Sequence, residues 1–168
     1  MTTASSPHER VALSLARQGM MTHLGVRLLS ATSGQVELAL SYSDKLTQQQ
    51  GGFHGGAMGA LADIAGGYAA LTVAPEGMEV VTIEYKINFL AAFNGGELSA
   101  IGRVVKAGRR IIDTSAEVLH LAADGRDGGD LRHPQGPGWP LTSGDIDAPA
   151  SSSLSLDRRG APAAQDSG

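Results

Sequence analysis

The stretch from Gly55 to about Val73 constrains the fold more than any other part of the chain. It reads GGAMGALADIAGGYAALTV, which is too long for a typical strand and rich in alanine, so it is predicted to be a helix. Apolar residues lie on nearly every side of this helix, and such a helix has to be buried all round. Pro75 and Gly77 follow it and are expected to end it.

This helix contains glycines at positions where glycine is a poor helix former. Gly59, Gly66 and Gly67 each cost about 1 kcal/mol relative to alanine. Close approach of a sheet or of a second helix would offset that cost. We therefore expect another element to pack tightly on the glycine-bearing surface.

Alternating apolar and polar residues on both sides of the helix predict β-strands. The pattern is clearest after the helix, where apolar residues at every second position alternate with Thr82, Glu84, Lys86 and Asn88. Five antiparallel strands around one long central helix make an α+β domain, with a curved sheet wrapped on the helix. A short helix is predicted over residues 7–21, and the strands over residues 24–31, 35–43, 80–91, 97–106 and 109–121.

The two ends of the chain differ in composition from the middle. Residues 1–7 are small and polar and are predicted to be disordered, and the folded domain is expected to span residues 8–124. Residues 125–168 hold five of the seven prolines and show almost no aliphatic periodicity. Such a segment buries too little apolar surface to offset its ordering entropy, so it is predicted to be disordered.

Composition excludes several classes of function. The chain has no cysteine, which rules out disulfides, thiolate metal sites and a cysteine nucleophile. It has a net charge of −4 and no basic block of the kind that binds nucleic acid. No apolar signal-peptide core precedes the domain, and no membrane span is expected, so a cytoplasmic location is predicted. No metal site is predicted, because no metal-ligand spacing links His8, His23, His120 and His133.

Asp63 is the one charged residue of the long apolar helix. Burying an unpaired carboxylate costs several kcal/mol. Asp63 therefore either faces solvent or caps a neighbouring backbone group, or it is a functional carboxylate in a pocket. The helix offers no other polar residue nearby, which favours the pocket.

The sequence His54-Gly55-Gly56 marks the point where a loop becomes this helix. The first N–H groups of a helix have no internal partner and lie at the positive end of its dipole. Glycine lets a ligand approach them closely, which suits a carbonyl oxygen that becomes an oxyanion. A glycine-rich loop that the histidine merely caps gives the same three letters, and the combination with Asp63 is the more specific signal.

The segment FHGGAMGALADIAGGYAA resembles the central helix of the PaaI-like acyl-CoA thioesterases of the hot-dog (4-hydroxybenzoyl-CoA thioesterase-like) superfamily. The segments VTIEYKINFLAA and GELSAIGRVVKAGRRI resemble the central strands of that family, in the same order. The resemblance covers roughly residues 19–125. It implies that the chain hydrolyses an acyl-CoA, aryl or medium-chain, to a carboxylic acid and CoA, without a further cofactor.

The resemblance also implies roles for particular residues. Asp63 matches the nucleophile or general base, and the Gly55 N–H group polarises the thioester carbonyl. His54 holds the turn and lines the site, and Thr82 falls where a Ser or Thr orients the water. The sites of this family lie at a dimer interface, so Asp63 of one subunit is expected to face the His-Gly-Gly turn of the other in a homodimer or homotetramer.

The loop before His54 departs from the family pattern. Members often place an Asn a few residues before the His, whereas here Gln48, Gln49 and Gln50 stand in the loop. Either a glutamine, Gln48 in the first place, takes that polar role, or the role is absent. Gln49, Gly56 and Asn88 are further candidates for contact with the substrate.

Basic residues cluster around the turn at Ala107-Gly108. They could bind the phosphates of CoA through charge-assisted hydrogen bonds, and an ordinary solvated turn would carry the same charges. The cluster consists of Arg103, Lys106, Arg109 and Arg110.

The C-terminal tail departs from the family as well. Members usually end with one more strand that lies inside the sheet, and here the pattern stops near Ala123. That strand is therefore expected to be missing, and a frameshift in the gene or its sequence is one hypothesis for the altered tail. A non-catalytic acyl-CoA-binding module is the alternative function. A hot-dog dehydratase or hydratase would need a different arrangement of histidine and acid, which the sequence does not show.

Overall fold

A computed structural model describes residues 5–121 together with the backbone of residues 151–157. Two short helices come first and are followed by two strands, the long helix and four further strands. The helices are α1 (Pro7–Leu15), α2 (Gly19–Leu24) and α3 (Gly55–Val73). The strands are β1 (Arg27–Thr32), β2 (Gln35–Ser41), β3 (Glu79–Tyr85), β4 (Glu97–Ala107), β5 (Ile111–Leu121) and β6 (Ser151–Asp157).

The strands form one antiparallel sheet in the order β1-β2-β4-β5-β6-β3. Helix α3 packs against one face of this sheet, chiefly on β2, β4 and β5. Leu38, Leu98 and Leu61 are fully buried at this contact. The α+β prediction of a curved antiparallel sheet around one central helix is confirmed.

Helix α3 has the bounds that the sequence predicts, and it is buried along most of its length. By length and composition alone it could also cross a membrane, but 67% of its 18-residue apolar segment is buried inside the protein. The cover comes from the sheet and from α1. The Arg10 guanidinium of α1 donates to the carbonyl oxygens of Ala74, Pro75 and Met78, at 2.6, 2.9 and 2.7 Å, which ties α1 to the C-terminal end of α3.

The expected close approach to the glycines of α3 occurs at Gly102 of β4. A Cβ atom at Gly102 would overlap the Ala65 carbonyl and lie 2.8 Å from the Gly66 nitrogen. Strand and helix backbones therefore touch directly, with no side chain between them. Gly59 has a different neighbour, because the Tyr85 hydroxyl would lie 3.5 Å from a Cβ at that position.

Replacing Gly102 with alanine should lower the free energy of unfolding by about 3 kcal/mol, since the added methyl group can fit only if β4 moves away from α3. Gly19→Ala is the matched control, because nothing lies within 4 Å of a Cβ there, and it should change stability by less than about 0.5 kcal/mol. Urea denaturation of both variants measures the difference. Equal stabilities would contradict a backbone contact at this point.

The prediction of a missing last strand was wrong. Strand β6 lies inside the sheet, between β5 and β3, with Leu154 opposite both Ile112 and Thr82. Within β6 only Leu154 and Leu156 alternate with polar residues. The strand is specified mainly by its position, because β3 and β5 offer it two backbone edges to pair with. The rest of the predicted tail, 125–150 and 158–168, lies outside the described residues, as do residues 1–4. The disorder predicted for residues 1–7 is wrong at Ser6 and Pro7, because Ser6 caps α1 and Pro7 begins it.

Two other predictions need correction. The helix expected over residues 7–21 is two helices, α1 and α2, because the chain turns between Leu15 and Gly19. The strand expected over residues 80–91 ends at Tyr85. Tyr85 pairs with Ser152 near the first residue of β6, so the chain beyond Tyr85 has no strand beside it in the described sheet.

Candidate active site

Asp63 lies at the middle of α3, on the side that faces β3. Its carboxylate is half-buried and accepts a hydrogen bond from the Thr82 hydroxyl, with 2.8 Å between Oγ1 and Oδ1. Among residues 5–121 it makes no ion pair and no second hydrogen bond is found for it. The structure thus brings two predicted site residues together and leaves one carboxylate oxygen, Oδ2, for another partner.

The start of α3 separates the roles of its first two N–H groups. His54 is the N-cap residue, and its Nδ1 atom accepts a hydrogen bond of 2.8 Å from the Gly56 N–H group. The backbone N–H of His54 donates to the Leu46 carbonyl at 2.7 Å, which fixes the turn. In the part of the chain that the structure describes, the Gly55 N–H group has no acceptor. Gly55 therefore offers the available N–H group, and the Gly56 N–H group is occupied by His54.

The glutamine loop before His54 is folded on itself. The Gln48 side-chain carbonyl accepts from the Gln50 N–H group, and the Gln48 N–H group donates to Gly52 at 2.9 Å. Gln48 is half-buried and Gln49 is exposed. The Gln48 side chain therefore shapes its own turn, and its Nε2 group is what remains for a substrate.

A second turn supports this loop from outside. The Phe93 carbonyl accepts from the Phe53 N–H group at 2.8 Å, directly before His54. The Phe93 ring stacks on His120, with 4.9 Å between centroids, and His120 Nε2 lies 3.0 Å from the Gly95 carbonyl oxygen. The His-Gly-Gly turn is therefore held in position by the segment that precedes β4, and that segment is in turn held by His120 of β5.

Gly55 and Asp63 do not meet in one chain. They are eight residues apart on a straight helix, which places them about 12 Å apart along its axis. Reacting atoms must approach to about 3–3.5 Å. A carbonyl that accepts from the Gly55 amide therefore cannot also be reached by Asp63 of the same chain.

The chain that leaves β3 runs antiparallel to α3 and covers the face between these two groups. Thr82 lies at Asp63, the Tyr85 hydroxyl lies at Gly59, and Phe89 lies at Gly55. The Phe89 Cζ atom would be 3.2 Å from a Cβ at Gly55. Tyr85 and Phe89 could not be recognised as site residues from the sequence, because they continue the alternating pattern of a strand. Asn88, which it did select, is half-buried next to Phe89.

The predicted phosphate-binding residues lie far from Gly55 within one chain. Arg103 is paired with Glu117 at 3.2 Å, whereas Lys106, Arg109 and Arg110 are exposed and form no ion pair with any described residue. They lie at the opposite end of β4 from the turn that contacts Phe53, about 33 Å away at the usual rise of a strand.

Comparison with known proteins gives concordant results. The model of the thioesterase superfamily matches residues 50–121, from the glutamine loop to the end of β5. One relative is a protein of Saccharolobus solfataricus that is named as an esterase. It is 35% identical over 103 residues, which are 61% of this chain and 71% of that protein. A second such protein from that organism is 32% identical over 104 residues, covering 61% and 69% of the two chains.

Solved structures show the same fold. A thioesterase family protein from Silicibacter pomeroyi superposes with a TM-score of 0.70 at 29% identity, over 89% of this chain and 95% of that one. The PaaI protein of E. coli, from the phenylacetic acid degradation operon, superposes with a TM-score of 0.64 at 16% identity, over 89% and 90% of the two chains. The second likeness concerns the fold alone.

Proposed function

Because this chain belongs to the thioesterase superfamily of hot-dog proteins, we propose that it hydrolyses acyl-CoA thioesters to a carboxylic acid and CoA. Membership of the family supports thioester hydrolysis in general. The observation that carries the proposal is the half-buried Asp63 carboxylate, held by Thr82 on one oxygen only. It is combined with a helix N-terminus whose Gly55 N–H group is available.

The two groups have complementary tasks in this reaction. The thioester carbonyl oxygen accepts from the Gly55 N–H group, and the helix dipole stabilises the negative charge that develops there. Asp63 either takes a proton from water as it attacks the carbonyl carbon or attacks that carbon itself to form an anhydride that water then opens. In both cases the C–S bond breaks, a C–O bond forms, and the departing thiolate is protonated to give CoA.

Oxygen-18 labelling distinguishes the two routes. In a single turnover in labelled water, only direct attack by Asp63 leads to solvent oxygen in the enzyme carboxylate. Thr82 holds Oδ1 in both routes, so Oδ2 is the oxygen that faces water or substrate.

The reacting pair comes from two chains in this proposal. The separation of about 12 Å along α3 prevents Asp63 and Gly55 of one chain from acting on one carbonyl. A two-fold dimer would bring Asp63 of each chain to Gly55 of the other, since such an interface uses the same surface on both subunits. Strand β3 lies at an edge of the described sheet and carries exposed Val81 and Ile83, a surface suited to self-association as a dimer or tetramer.

A thiol-release assay on the purified full chain tests the proposed activity. The panel contains aliphatic and aryl acyl-CoA substrates, with p-nitrophenyl esters for comparison. We expect hydrolysis of at least one acyl-CoA, dependent on Asp63. Tight binding of thioether analogues of acyl-CoA, with no thiol released from any thioester, would instead indicate a non-catalytic acyl-CoA-binding protein.

The exposed cations at the β4–β5 turn lie far from Gly55 of their own chain, so in this proposal they meet CoA from the subunit that supplies Asp63. They give a separate prediction. Replacing both Arg109 and Arg110 with alanine should raise KM for acyl-CoA about 10-fold, because charge-assisted hydrogen bonds to phosphate are lost. It should leave KM for the matching N-acetylcysteamine thioester, which has no phosphate, unchanged. Arg17→Ala, which removes an exposed arginine paired with Glu79, is the control. An equal effect on both substrates would contradict phosphate binding at this turn.

A further inference from the structure

The face of α3 between Asp63 and Gly55 forms a track walled by two aromatic residues. Gly55, Gly59 and Asp63 follow one another at intervals of four residues, so they lie along one stripe of the helix. Tyr85 stands over Gly59 and Phe89 over Gly55. Because glycine has no side chain, the aromatic rings come close to the helix backbone at these two positions.

Phe89 lies next to Gly55, the residue whose N–H group is available. Its Cζ atom would be 3.2 Å from a Cβ at Gly55, which places the ring beside the Gly55 N–H group. An oxygen that accepts from this group lies about 2.9 Å from its nitrogen. The carbon attached to that carbonyl is then within van der Waals reach of the ring.

Tyr85 limits the track at the next helical turn. Its hydroxyl would be 3.5 Å from a Cβ at Gly59, with Ile87 Cδ1 at 4.0 Å. Gly55 and Gly59 are about 6 Å apart along the helix. A group that enters beside Phe89 therefore meets Tyr85 within this distance.

We propose that Phe89 and Tyr85 wall the acyl pocket, and that Tyr85 over Gly59 restricts it to compact apolar acyl groups; this inference rests on the proposed thioesterase function. Both residues are large and apolar in their rings, yet 51% and 50% of their surface is exposed. An acyl group that covers them removes this surface from water, which favours binding. The residues act on specificity and not on the bond-breaking step.

Three variants test the size limit. Tyr85→Ala should shift the optimum acyl length upward, with at least a 10-fold gain in relative kcat/KM for a longer chain, the effect expected for room gained in an apolar pocket. Gly59→Ala should shift it downward by a similar factor. The added Cβ makes only ordinary contact at 3.5 Å, and alanine favours a helix, so this variant should fold at least as well as the parent. Tyr85→Phe removes only the hydroxyl that stands over Gly59, so it should shift the optimum upward by a smaller factor than Tyr85→Ala does.

The measurements are kcat/KM for a straight-chain acyl-CoA series, and calorimetric binding of the corresponding thioether analogues, which cannot be hydrolysed. Phe89→Ala should weaken analogue binding about 10-fold for every chain length. Light scattering follows the oligomeric state of each variant. An unchanged length profile, with subunits that dissociate in the Tyr85→Ala and Phe89→Ala variants, would overturn the proposal, because the aromatic residues would then serve the subunit interface. A parent protein that neither binds the analogues nor releases thiol would overturn the thioesterase function itself.

Discussion

Replacing Asp63 with asparagine is expected to lower kcat for thioester hydrolysis by about 10³-fold, which is within the range that a positioned general base usually contributes. Asparagine has nearly the same shape, and its side-chain carbonyl can still accept the hydrogen bond that Thr82 donates to Asp63 Oδ1. What is lost is the basicity and nucleophilicity of the second oxygen. The midpoint of thermal unfolding should therefore change little while turnover almost disappears.

Steady-state thiol release and calorimetric unfolding of the same preparation provide the two readouts. Glu76→Gln is the matched control, because Glu76 is an exposed carboxylate beyond the end of α3, and its removal should leave kcat at the parental value. An Asp63→Asn protein that keeps more than a tenth of parental kcat would remove Asp63 from the reaction.

Replacing Gly55 with proline is the second large effect, with an expected loss of about 10²- to 10³-fold in kcat, as found when one oxyanion donor is removed. Proline has no N–H group, and the first position of a helix is where it is best tolerated. The residue before proline must be extended, and His54 already has φ −68° and ψ 135°. The fold should therefore accept proline here.

Gly55→Ala separates loss of the N–H group from added bulk. It keeps the N–H group and introduces a Cβ that lies 3.2 Å from Phe89 Cζ, a contact that a small movement of the exposed ring relieves. We expect its kcat to stay within about 10-fold of the parent, since the oxyanion donor is retained. If alanine and proline reduced kcat equally, crowding near Phe89 and not the lost donor would be the cause.

The sequence predicted the parts of the fold that depend on local pattern. Helix α3 was recognisable because it is apolar all round and is followed by Pro75, and its bounds agree with the structure. Its glycines indicated a close contact, but not the partner, because Gly102 reaches Ala65 only through the pairing of β2, β4 and β5. Long-range pairing of this kind leaves no mark in a single segment.

Strand β6 shows the opposite limit. Its backbone completes the sheet between β5 and β3, and a backbone can pair in this way with little help from side chains. Only Leu154 and Leu156 alternate there, within serines and after a proline-rich stretch. Periodicity alone therefore predicted disorder for a segment that pairs with β5 and β3 in the sheet.

The candidate site was predictable in its chemical groups and not in its arrangement. Asp63 was conspicuous as the single charge in an apolar helix, and Thr82 followed from the resemblance to a family. Phe89 was missed because β3 was expected to continue through it, whereas the strand ends at Tyr85. The basic cluster was predicted to bind phosphate because its members are close to one another in sequence. In the structure β4 separates the β4–β5 turn from Phe93, so the two lie at opposite ends of that strand.

In the proposed dimer, Asp63 of one chain serves the Gly55 amide of the other, and the reaction depends on this arrangement. Co-expression of the Asp63→Asn and Gly55→Pro subunits with different tags tests this arrangement. In each homodimer both sites lack one of the two groups, so neither homodimer should be active. A mixed dimer pairs the intact Gly55 of one subunit with the intact Asp63 of the other, so a random 1:1 mixture of subunits should recover about a quarter of parental kcat for a two-fold dimer. No recovery in a preparation shown to contain mixed dimers would contradict a site shared between chains.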